Sequence, residues 1–278
     1  MRTGTASGIQ IVFLSFAVLL LAVPLATYLA ELHGGSAFER QFIGRVVPFV
    51  IGAGVLFMVP GLRRQVLHAL SHPIPRGRRL EAVLVGVAKV PLALGTFGAL
   101  ALLIWISEGG AALEQQMLAT PSRDEELAKA FSPAGIAFFL VFGAFMGPVL
   151  EEVVFRGFLY RAWERRWGWI VSMLLVSTLF GLYHTHFFAA FAGSIVFVCV
   201  LRRTGTLWGP IVAHCIFNGL LWYPFAGQLL APPEGAALGD LASWKLQLAC
   251  LLYSVIAFPI YFWLARHEYE PDPFAKEG

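Results

Sequence analysis

Three short groupings in this sequence set polar and ionisable side chains at helical spacing inside otherwise apolar stretches. The first is Glu151-Glu152-Val153-Val154-Phe155-Arg156, the second runs from Phe180 to His184, and the third from His214 to Asn218. On a helix, residues four apart share a face, so Glu152 and Arg156 stand in the acid-before-base order that favours an ion pair. Glu151, rotated about 100° from Glu152, is left over. A carboxylate in a low-dielectric site beside a second carboxylate meets the condition for a general base. His214 with Asn218 one turn on is a pair of neutral donors that can be fixed in place before charge develops on a substrate carbonyl oxygen. These residue types suit general-base catalysis with stabilisation of an oxyanion.

The elements that must position them are membrane spans. Of 278 residues, 58% are apolar and 13% charged, and the mean hydropathy is +0.72, against roughly 25% charged residues in an ordinary soluble domain. This composition excludes disorder, and three cysteines do not make a secreted disulfide scaffold. A net charge of +3 with no basic stripe among aromatics excludes a nucleic-acid partner. Apolar runs of about 20 residues cross the roughly 30 Å hydrocarbon layer, and eight are expected: Ile9 to Tyr28, Phe42 to Pro60, Leu80 to Ile106, Pro133 to Tyr160, Trp169 to Phe188, Ala189 to Leu201, Thr206 to Tyr223 and Trp244 to Ala265. The fold class is all-α, a polytopic membrane bundle. The run from Ile9 is nearer span length than signal-peptide length. Arg63, Arg64, Arg76, Arg78 and Arg79, then Arg161, Arg165, Arg166, Arg202 and Arg203, fall in loops that this arrangement places inside, with both termini cytoplasmic. The chain divides into N-terminal helices over 1–132, a core with the three motifs over 133–223, and a last helix and tail over 224–278, within one membrane domain.

Residues 135 to 220 resemble the CAAX prenyl endopeptidase and bacteriocin-processing family of intramembrane proteases. That family carries a Glu-Glu-x-x-x-Arg, a Phe-x-x-x-His and a His-x-x-x-Asn motif in this order, and all three are present about 30 residues apart. The resemblance implies an endopeptidase in which Glu151 activates a water. His184 would hold or polarise that water, His214 and Asn218 would stabilise the oxyanion, and Glu152 with Arg156 would set the position of Glu151. It implies a membrane-anchored or lipidated protein or peptide as substrate, in the lipid bilayer of a bacterial inner membrane. No cofactor is expected. Zn²⁺ is the alternative, with Glu151, His184 and His214 as its ligands, but His-Glu-x-x-His is absent.

Other readings carry less. All three aspartates lie outside the spans and no Gly-x-Ser-Gly occurs, against aspartyl and rhomboid-type chemistry. A proton-coupled transporter using Lys89, Glu151, Glu152 and His184 is the main alternative, and an inert scaffold or immunity protein of the same fold is another. Lys89 either pairs with a carboxylate or snorkels to the inner surface, and stands outside the catalytic set. His68 and His72 belong to a basic interfacial loop, and Cys199, Cys215 and Cys250 act as small hydrophobes. The pairs Gly143/Gly147 and Gly205/Gly209 would permit close helix approach.

Overall fold

A computed structural model describes residues 46–119, 140–184, 186–230 and 244–267, with isolated positions at 28–29, 32–34, 43 and 137–138. The first expected span, the segment 120–136, the 231–243 stretch and the tail after His267 lie essentially outside the described residues. Among the described residues every regular element is helical. Helix α1 is Val47–Met58 and α2 Pro60–Leu70, and the chain turns by 101° between them. Helix α3 is Arg79–Glu108 and α4 Gly110–Ala119. A π-helical segment, Phe142–Met146, leads into α5 (Gly147–Glu152), and a second, Val153–Tyr160, leads into α6 (Arg161–Tyr183). Helices α7 (Phe187–Thr204), α8 (Trp208–Leu230) and α9 (Trp244–His267) complete the order.

Among the described residues, four helical stretches are long and apolar enough to cross a membrane: Arg76–Glu108, Phe142–Tyr183, Phe187–Thr204 and Trp244–Arg266. Counting the bent pair α1–α2 as one span gives five, so the eight spans expected are not established at that count. The differences have local causes. The fourth and fifth expected spans share one 42-residue stretch, interrupted at Gly168 with φ 74°. That backbone conformation is open chiefly to glycine, and it divides the stretch where the sequence changes from a charged to an apolar run. Over Trp208–Leu221, α8 is apolar but shorter than the spanning length.

The outer surface confirms the membrane class. Leu84, Val87, Leu100, Leu103 and Ile106 on α3, and Leu252, Val255, Ile256 and Ile260 on α9, are exposed. Continuous apolar faces of this extent are matched to lipid rather than water. Helix α7 is different: 61% of its span is buried, against 17% to 33% of the others. Its run from Gly193 to Arg202 is enclosed throughout, because Ile195, Val198 and Leu201 pack with Phe155, Leu159, Val176 and Phe180, while Val196, Phe197 and Val200 pack with Leu92 and Ala213.

Close helix approach is centred on α3 rather than on the two glycine pairs singled out in the sequence. A Cβ at Gly86 would lie 2.7 Å from Ala213 O and 2.9 Å from Ile216 Cβ on α8, and one at Gly95 would lie 2.8 Å from Cys250 O on α9. Gly147 faces its own segment, with Phe142 O 3.4 Å from a Cβ position, and Gly209 faces Thr204 in the turn before α8. At one end of the bundle, Glu81 meets Arg78, Arg203 and Tyr261. There Glu164 meets Arg161, Arg202 and Tyr160. The basic residues before α3, in the first turns of α6 and in the last turn of α7 therefore gather on one side.

Candidate active site

The first motif lies where helix geometry changes. Glu151 and Glu152 end the six-residue α5 between two π-helical segments, and such wider turns displace side-chain phase and free backbone carbonyls. Gly143 O, in the first π segment, accepts a hydrogen bond from Asn218 Nδ2 at 2.8 Å. This bond joins the first motif's helix to the third.

Glu152 is fully enclosed. Its Oε2 lies 3.2 Å from Arg156 Nε, and its Oε1 accepts from Arg156 Nη1 at 3.2 Å and pairs with His214 Nδ1 at 2.8 Å. Arg156, also enclosed, donates from Nη2 to Ser194 Oγ at 2.8 Å and Ser194 O at 3.1 Å. Its guanidinium lies over the rings of Phe180 and Phe197, 4.7 and 5.3 Å from their centroids. Glu152 Oε2 and Arg156 Nε face each other as an ion pair without a hydrogen bond, so the pair is held by the Arg156 Nη bonds to Glu152 Oε1 and Ser194 and by the bond from His214.

Glu151 is 21% exposed in its side chain, and its Oε2 lies 3.8 Å from both His184 Nε2 and His214 Nε2. Each ring is fixed from its far nitrogen. His184 Nδ1 donates to Phe180 O at 2.7 Å, a bond that requires hydrogen on Nδ1 because a carbonyl only accepts. His214 Nδ1 faces the Glu152 carboxylate in the same sense. The neutral rings therefore turn their Nε2 lone pairs toward Glu151. A neutral imidazole in this tautomer accepts at Nε2, so His214 becomes a donor there only as imidazolium, with Glu152 stabilising its charge. Stacking sets the ring planes: His184 lies on Phe180 at 4.3 Å and His214 on Phe197 at 4.4 Å between centroids.

His184 is not within a helix. Helix α6 stops at Tyr183 and His184 is extended, φ −108° and ψ 150°. The side chain is 32% exposed, so the pocket opens past His184 while Glu152, Arg156 and His214 form its closed wall. Among the described residues no group of three His, Cys, Asp or Glu is disposed to hold a metal ion.

Two participants escaped the sequence reading. Ser194 caps Arg156, and its only sequence signal is that of a lone hydroxyl in an apolar run. Phe197 stacks on His214 and has no signal separable from core packing. Lys89 does not snorkel: it is 4% exposed and its Nζ lies over the rings of Phe217 and Phe197, 3.3 and 4.3 Å from their centroids. His68 and His72 stay on the surface, 4.8 Å apart between ring centroids.

Residues 133–220 match the family described as type II CAAX prenyl endopeptidase Rce1-like, and they contain all three motifs. A Bacillus subtilis (strain 168) protein named "Putative membrane peptidase YdiL" is 29% identical over 82 residues, which are 28% of this chain and 34% of that protein. The chain thus spans about a third of the length of the curated relative it matches. No solved structure matches it. The segment that holds Glu151, His184, His214 and Asn218 therefore lies within the match to the Rce1-like family, described as type II CAAX prenyl endopeptidase.

Proposed function

We propose that this membrane protein is an intramembrane endopeptidase that hydrolyses a peptide bond of a membrane-associated or lipidated protein or peptide. The observation that carries the reading is the convergence of His184 Nε2 and His214 Nε2 on one oxygen of Glu151, each ring anchored from behind. Glu152 has both oxygens engaged by Arg156 and His214, which leaves Glu151 as the carboxylate free to take a proton.

In the proposed reaction a water lies between Glu151 and His184. Its oxygen bonds to the substrate carbonyl carbon as one proton passes to Glu151 Oε2, and the carbonyl electron pair moves onto oxygen. The oxyanion is met by the Asn218 N–H that Gly143 does not use, and His214, neutral and held by Glu152 through Nδ1, turns its Nε2 lone pair to the proton that Glu151 has taken up. Donors fixed before the charge appears need no reorganisation, and a site walled by Phe180 and Phe197 strengthens each of them. Collapse of the intermediate breaks the C–N bond, and Glu151 returns its proton to the leaving amine.

The test compares protein termini by mass spectrometry in membranes from cells making equal amounts of the wild-type chain or Glu151→Gln. New termini present only with wild type are the expected result, and they name the substrate. Coincident maps would overturn the proposal in favour of a transporter or an inert scaffold, and proton flux in vesicles separates those two.

A further inference from the structure

Lys89 is a buried cation with no evident structural need. It is on α3, outside the three motifs, and no carboxylate among the described residues forms an ion pair with it. Its ammonium is received instead by two aromatic faces, Phe217 and Phe197. Space for it is provided at Gly193 on α7, where a side chain would collide with Lys89 Cε and Nζ. Aromatic faces offset part of what the membrane interior costs a charge.

The receiving residues are those that build the site. Phe197 carries His214 stacked on it, and Phe217 precedes Asn218 in sequence. Glu152 and Arg156 balance each other. Without Lys89 the enclosure would hold one uncompensated negative charge, first on Glu151 and then on the oxyanion once Glu151 has taken a proton.

Resting on the hydrolytic reading above, we propose that Lys89 is the charge-compensating residue of this site, its ammonium offsetting the negative charge that passes from Glu151 to the oxyanion. It touches neither reacting atom. Because no close ion pair ties it to Glu151, the ammonium does not favour the carboxylate at the oxyanion's expense. Placed against the rings that adjoin His214 and Asn218, it acts on the charge as it develops, which is the condition for raising the chemical rate.

Two variants test this in the full-length protein, measured by the initial rate at which wild-type-dependent termini appear in membrane vesicles, per folded molecule. Thermal midpoints are taken in detergent. Lys89→Met keeps the length and removes the charge; its rate is expected to fall about 100-fold, in the range found when one fixed electrostatic donor is lost. Its midpoint should stay level or rise, since a buried charge has given way to an apolar group. Lys89→Arg should retain at least about a tenth of the wild-type rate, because the charge remains. A Lys89→Met rate within about threefold of wild type, while Glu151→Gln is inactive, overturns the role of Lys89 alone. A lowered midpoint or loss of folded Lys89→Met assigns the residue to packing and overturns it, as does Lys89→Arg being as slow as Lys89→Met. If Glu151→Gln itself remains active, the hydrolytic reading fails and this one with it.

Discussion

Glu152 has no exposed side-chain surface, so its charge is tolerated only because Arg156 and His214 both reach it. Arg156→Ala would leave that carboxylate buried beside one imidazole and free the Ser194 hydroxyl from its donor. The expected cost is about 3–5 kcal/mol, read as a lowered thermal midpoint and reduced accumulation of detergent-soluble protein. Glu151→Gln should leave both unchanged, because its side chain reaches the pocket opening and holds no buried partner in an ion pair closer than 3.8 Å. Glu152 with Arg156, Phe180 with His184 and His214 with Asn218 were legible in the sequence through their spacing, since an i,i+4 step on an apolar helix announces a shared face. Ser194 and Phe197 were not, because each reaches the site from α7, and contacts between helices leave no periodic trace in either one. Nor did spacing fix which His214 nitrogen faces Glu151; that depends on Glu152 taking the other.

The helices themselves were legible through hydropathy and their breaks only partly so. Gly168 divides one long stretch because its φ of 74° ends the helical hydrogen-bonding pattern, and the charged run from Arg161 to Arg166 ahead of the apolar run from Trp169 marks that break in the sequence. The π segments on either side of Glu151 left no mark at all in composition. Close contact between α3 and α8 depends on Gly86, whose absent side chain admits the Ala213 carbonyl one residue before His214. Gly86→Ala should force the two helices apart at a cost of about 1–3 kcal/mol, and lower the hydrolysis rate by displacing His214. Gly54→Ala, where a Cβ would meet nothing within 4 Å, should leave rate and midpoint at the wild-type level. Paired thermal and rate measurements on the two variants check both halves; equal behaviour would mean that α3 does not set the position of α8.

Across the whole molecule, charge is sorted by end. Arg78, Arg203, Arg161 and Arg202 meet at one end with Glu81 and Glu164, while Glu108 closes α3 about 45 Å away along a 30-residue helix. In a chain stripped of its own three cysteines, a cysteine at Arg76 or Arg166 should react with a membrane-impermeant maleimide from the cytoplasmic side, and one at Glu108 from the other. Reaction of all three from one side would refute the assignment. The placement of Arg156 and Lys89 also has a consequence for synthesis. Arg156 and Glu152 are one turn apart, so the translocation machinery receives them as a neutral couple that needs no other helix. Lys89 has no such companion on α3, and Phe197, which will cover it, is translated about 5–20 s later at ordinary ribosomal rates. For that interval α3 is a helix with a bare charge, and its commitment to lipid has to wait for the arrival of α7.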